Sequence, residues 1–165
     1  MKRVWLSKSP AVSLLTGALL SAGLSLPALA GSHGGGDDHG HDDYAYADKA
    51  LFIVTSDSLQ TQGMAMILAN AMREQGTTPH ILLCDAAGEL AIEGYESETE
   101  LGPRGVKPEG LMQMMMGEGA SVEVCAIYLP NTDHEEGDLR EGVGVATPGA
   151  MAEMMRDPKV PVFSF

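Results

Sequence analysis

From Lys49 onward, short apolar runs alternate with longer stretches of helical period, and that order leaves few ways to fold. Ala50-Leu51-Phe52-Ile53-Val54 is a continuous apolar run ending in Thr55-Ser56-Asp57, the mark of a strand buried on both faces. Met64, Ile67, Leu68, Ala71 and Met72 follow at i, i+3, i+4, i+7 and i+8, the stripe of an amphipathic helix. Asp57 or Ser58 can cap its start and Gly76 can end it. His80 to Cys84 reads as a second strand, broken at Asp85 and Gly88. Residues 89–107 carry Glu93, Glu96, Glu98 and Glu100 with Gly and Pro, a long polar excursion of the kind that serves as a functional flap or a mobile loop.

Pro108 suits the first position of a second helix bearing Leu111, Met112, Met115 and Met116, which Gly117 and Gly119 stop. Val122 to Tyr128 alternates as a third strand, and Thr132-Asp133-His134-Glu135 has the form of a capping box opening one short turn. Residues 143–145 read as a brief strand. Thr147 and Pro148 open a third helix that Asp157-Pro158 closes, and Val160 to Phe165 is a last strand. Strand alternating with helix predicts an α/β protein with a mainly parallel sheet of 4-5 strands, right-handed crossovers and helices on both faces.

The first thirty residues have a different logic. Lys2, Arg3 and Lys8 precede a mostly apolar run from Ala11 to Leu26, and Pro27 breaks it before Ala28-Leu29-Ala30. That is a cleavable signal peptide cut after Ala30, its apolar run shorter than the roughly 20 residues a membrane span needs. The expected location is the periplasm or beyond, with no membrane contact after cleavage. Residues 31–48 form an arm rich in Gly, Asp and His with no apolar period, and the domain proper begins at residue 49. A free amine at Gly31, two amide nitrogens and the His33 imidazole would enclose Cu(II) or Ni(II) in a square plane, and His39 and His41 add ligands of the same type. The plainer reading of the arm is a solvated spacer.

Charge removes whole classes of partner. The chain has 10 Lys plus Arg against 23 Asp plus Glu, a formal charge of -13, which disfavours nucleic acid and anionic lipid surfaces. No G-x-G-x-x-G or G-x-x-x-x-G-K-[ST] follows any strand, so nothing supports a bound nucleotide. The methionines at helical spacing read as core or subunit contacts ahead of a soft copper surface.

Cys84 and Cys125 are the only thiols. In an oxidising compartment an even count points to a disulfide. Sheet order decides the matter: with the first strand between them their Cα atoms stand about 10 Å apart, beyond the roughly 7 Å a bridge tolerates, whereas neighbouring strands remove the objection. Both lie toward the carboxyl ends of their strands, where open parallel sheets bind ligands. Each also reads as a small buried hydrophobe.

Gly105-Val106-Lys107-Pro108, Gly119 through Cys125, Asp138-Leu139-Arg140-Glu141-Gly142-Val143 and the closing Val162-Phe163-Ser164-Phe165 together resemble the DsrE/DsrF-like family, over about Lys49 to Phe165. The resemblance implies a three-layer α/β/α sandwich, assembly into a homo-oligomer (trimer or hexamer) and, in sulfur-relay members, a reactive cysteine at the position of Cys125. That thiol accepts a sulfane sulfur as a persulfide and passes it from a donor to an acceptor protein. Secreted relatives carry a second Cys three residues on, where this chain has Cys125-Ala126-Ile127-Tyr128. The reading is therefore sulfur transfer by Cys125 in a cleft roofed by residues 89–107, with Cys84 and His134 as secondary candidates. Glu123, Asp133, Glu135 and Glu136 would oppose a thiolate there, leaving His134 or the turn after Thr132 as counterweights. The alternative is a non-catalytic module that captures a metal or small ligand.

Overall fold

The computed structural model describes residues 46–165. The signal peptide, the cut after Ala30 and the arm's His33, His39 and His41 lie outside the described residues. Five strands form one sheet: β1 (Lys49–Val54), β2 (Thr78–Leu83), β3 (Ser121–Val124), β4 (Gly144–Val145) and β5 (Val162–Ser164). Their order is β4-β3-β2-β1-β5 and every neighbouring pair is parallel. The three helices are α1 (Leu59–Glu74), α2 (Pro108–Gly117) and α3 (Pro148–Arg156). Helices α1 and α2 cover one face, and α3 covers the other on its way from β4 across to β5. This is the three-layer α/β/α sandwich that the alternation predicts.

The larger core layer joins Phe52 and Val54 of β1, Ile81 and Leu83 of β2 and Val122 and Val124 of β3 to Met66, Met112 and Met115. Those three methionines are fully buried, so they are packing residues. On the opposite face Leu51, Leu82, Ala146 and Met151 make a smaller layer under α3. Ser58 caps α1 by accepting from the Thr61 amide, and Gly76 follows its end at a φ of 95°. Thr147 caps α3 in the same way through the Ala150 amide. At the far edge the Phe165 carbonyl accepts from both the amide and the hydroxyl of Thr55, which ties the last residue to the end of β1.

Three local expectations are corrected. The buried face of α1 is made by Ala65, Met66 and Ala69, while Met64, Ile67 and Leu68 of the apolar stripe are 51, 44 and 43% exposed. Small residues let the helix axis approach the sheet closely, and that outweighs the size of the outer side chains. Second, β3 stops at Val124, so Cys125 follows the strand instead of lying within it. Third, no turn is capped by Thr132. The capping box belongs to Glu135 and Asp138, which open a short 3-10 turn at Glu136–Asp138, while Thr132 ends the preceding turn at Leu129–Asn131.

Residues 92–107 are held down along their length. The Ser97 amide and hydroxyl donate to the Glu109 carboxylate at 2.9 and 2.7 Å. Burial alone would raise the pKa of Glu109, but the two Ser97 donors outweigh it and hold the carboxyl below its ordinary range. Leu101 seats against Gly63 of α1, where an added Cβ would overlap its side chain. Farther on, buried Arg140 donates through Nε to the Leu90 carbonyl and through Nη2 to the Tyr95 carbonyl. Its amide donates to the Ala91 carbonyl at 2.8 Å. Arg140 thus fastens the segment over 90–95 to the strip that leads into β4.

Candidate functional site

Parallel strands deliver their successors to one edge of the sheet, and here two of those successors are cysteines. Leu83 of β2 stands opposite Val124 of β3, and the next residue on each strand is Cys84 and Cys125. The Cys125 amide donates to the Leu83 carbonyl at 2.8 Å, and the Cys84 amide to the Val54 carbonyl at 2.9 Å, so both sulfurs hang from backbone fixed by the sheet. Both are free thiols and half-buried. Cys84 packs against the layer of Leu51, Leu82, Ala146 and Met151, and Cys125 touches both that layer and the larger one at the end of the sheet.

Just past β2 the chain turns sharply at Asp85, whose φ of 51° lies in the left-handed region that non-glycine residues seldom adopt. The turn sends a 3-10 helix (Asp85–Ala91) across the carboxyl ends of the strands. The chain after β3 makes a second wall through residues 127–132. Between them lies a cavity of about 670 Å3 floored by Cys84 and Cys125, with Asp85, Ala86 and Glu89 on one side and Ile127, Tyr128, Asn131 and Thr132 on the other. Of the polar excursion only Glu89 reaches this cavity. The expected roof over 89–107 is corrected accordingly: beyond Ala91 that segment is fastened to α1, α2 and Arg140 instead.

The walls are cross-linked. Tyr128 Oη donates to Glu89 Oε1 at 2.9 Å, joining the two sides. Burial, and after it the Glu89 carboxylate, push the Tyr128 phenol above its ordinary pKa, so it stays a donor. His134 does not line the cavity. Its ring stacks on Tyr128 with centroids 6.4 Å apart, and Nε2 lies 3.6 Å from Glu89 Oε2, so it supports the wall from behind. Glu123 turns away to His80, 2.7 Å from Nε2, although that nitrogen makes no well-directed hydrogen bond.

The thiols differ in character. Burial, and then hydrogen bonding and charge from the neighbouring Cys125, push the Cys84 thiol up to about 12. Cys84 is therefore protonated across the neutral range and can donate its S–H to the sulfur beside it. Asp85, Glu89, Tyr128 and Asn131 were not singled out from sequence. A glutamate at the start of a polar stretch and a tyrosine in an alternating run carry no signal of facing one another. Among the described residues, no three His, Cys, Asp or Glu side chains come together as a metal ion requires.

No family model and no curated protein matches the sequence. Among solved structures the chain is similar to the ychN protein from E. coli, at 19% identity, covering 71% of this chain and 99% of that one, with a TM-score of 0.56. It is also similar to MTH1491 from Methanobacterium thermoautotrophicum, described as a protein of unknown function, at 15% identity, covering 71% of this chain and 98% of that one, with a TM-score of 0.52. Both likenesses establish the α/β/α fold.

Proposed function

We propose that this chain is a secreted member of the DsrE/DsrF-like family that accepts sulfane sulfur on Cys125 as a persulfide and passes it to a partner thiol. The observation that carries the reading is the placement of Cys125, fixed by the Leu83 carbonyl and set in the floor of an open cavity at the carboxyl edge of the sheet. A sulfur acceptor needs a thiol that a donor can reach and a backbone that keeps it there. The fold shared with the two solved structures supports the architecture such a site requires. In the reaction the Cys125 thiolate attacks a terminal sulfur of a polysulfide, the Sγ–S bond forms, the adjoining S–S bond breaks, and the shortened polysulfide leaves with the electron pair.

The test is a brief exposure of the chain from residue 31 to inorganic polysulfide, trapping with iodoacetamide and measurement of intact mass. One additional sulfur, about 32 Da, is expected on the Cys125 peptide and none on Cys125→Ser. A wild-type thiol that stays unmodified, or an adduct that persists in Cys125→Ser, overturns the reading.

The same reading carries assembly into a homo-oligomer. Support comes from the outward stripe of α1, where Met64, Ile67 and Leu68 leave an apolar strip facing solvent. Ile67→Glu is expected to reduce a trimeric or hexameric mass to that of the monomer in light scattering coupled to gel filtration. An unchanged mass rejects α1 as the contact.

A further inference from the structure

We propose that Cys84 is the resolving thiol for Cys125: it displaces the carried sulfur as hydrogen sulfide and leaves a Cys84–Cys125 disulfide, so the pair converts a sulfane sulfur donor into sulfide. The inference rests on the sulfur-carrier reading and adds the fate of the persulfide when no acceptor thiol arrives.

Geometry supports it from three directions. Adjacent parallel strands lie about 4.8 Å apart, inside the Cα separation of roughly 4.4–6.8 Å that a disulfide spans. Cys84 and Cys125 extend the Leu83–Val124 register by one residue each, so that spacing applies to them. Both side chains line the same cavity, and a donor that reaches one thiol reaches the other. The position three residues after Cys125 is Tyr128, whose hydroxyl is engaged by Glu89, so no second thiol comes from the loop itself. The partner sulfur comes from the neighbouring strand.

The step balances. Cys84–SH and the anionic Cys125 persulfide contain three sulfurs, one proton and one negative charge. The proton passes to the outer sulfur as the Cys84 sulfur attacks the inner one. The Sγ–Sγ bond forms, the bond to the outer sulfur breaks, and HS⁻ leaves with the electron pair. Cys84 and Cys125 are together oxidised by two electrons, and the sulfane sulfur is reduced to sulfide. An external dithiol returns the pair to two thiols and is itself oxidised to a disulfide. Because Cys84 rests as the protonated thiol, its attack is tied to the transfer of that proton to the outer sulfur.

The experiment loads the chain from residue 31 with polysulfide, removes the reagent by rapid desalting, and follows sulfide release and intact mass with time. Wild type is expected to release one sulfide per loaded chain and to end two hydrogen masses below the reduced protein, with a Cys84–Cys125 peptide in a non-reducing digest. A dithiol reductant restores both thiols. Cys84→Ser and Cys84→Ala are expected to hold the added sulfur at least about tenfold longer and to release no sulfide; two variants guard against one folding poorly. If the variants load and then lose sulfur as fast as wild type, and no cross-linked peptide forms, the resolving role is overturned while the carrier reading stands. If no variant and no wild-type chain loads at all, the carrier reading falls and takes the resolving step with it.

Discussion

Arg140→Met is expected to destabilise the domain by about 2–4 kcal/mol, because it leaves the buried Leu90 carbonyl and the half-buried Tyr95 carbonyl without their donor. Arg140 is 7% exposed and its side chain donates to main-chain oxygens, so it acts as a fork joining two backbone segments. Methionine matches its length and apolar stem but donates nothing. Removing the buried charge returns part of the loss, since a cation in that position is itself costly to desolvate. The net sign follows from geometry: one buried and one half-buried acceptor lose their donor at once, and the segment they belong to is the continuation of the cavity wall that carries Glu89. A total stability of about 5–15 kcal/mol is ordinary for a domain of this size, so the change is a large share of the whole. Urea unfolding should show a lower midpoint with an unchanged slope. Arg140→Lys reaches one carbonyl but not both and should fall between the two. A Met variant within about 0.5 kcal/mol of wild type would mean that the two carbonyls find other donors and that the fork is dispensable.

The pattern that announces the fold is period, and period was enough where burial is two-sided. The runs at 50–54 and 81–84 are apolar throughout because helices cover both faces, and each strand stops within one residue of its expected end. Period misled at α1, where Met64, Ile67 and Leu68 outweigh Ala65 and Ala69 in any count of hydrophobic size. The face that goes inward is the one that lets the helix lie close, and closeness rewards the small residue. Sequence also left the two cysteines undecided, because alternation of strand and helix does not fix the order of strands in the sheet. Once β2 and β3 are neighbours, the separation that argued against a bridge disappears. The cavity was harder to foresee. Its walls come from a left-handed turn at Asp85 and from residues 127–132, where the alternation read through Tyr128 gives way to turns after Val124. His134 is a counterweight to the nearby carboxylates by residue type alone, yet what it does is stack on Tyr128, a contact between residues that only the fold brings face to face.

Gly88→Ala is expected to be among the most disruptive single methyl additions available in this domain. A Cβ built at Gly88 would lie inside the van der Waals surface of the Tyr128 ring, overlapping three of its carbons. Tyr128 is 5% exposed, so the ring cannot swing into solvent without leaving its layer of the core. The turn at Asp85–Ala91 is equally constrained, since the Arg140 fork fixes its backbone at Leu90. Overpacking of this kind costs about 1–3 kcal/mol, and here it also pulls Tyr128 Oη from Glu89, the bond that joins the two walls of the cavity. Tyr128→Leu separates clash from composition. Alone it loses the ring and its hydrogen bond; combined with Gly88→Ala it removes the atoms that the new methyl strikes. The double variant is therefore expected to be more stable than the sum of the two single losses predicts, by about 0.5–3 kcal/mol in a thermodynamic cycle. Additive losses would place the strain of Gly88→Ala in the turn's own backbone. The requirement for glycine would then arise from the 3-10 turn and not from the tyrosine that walls the cysteine pair.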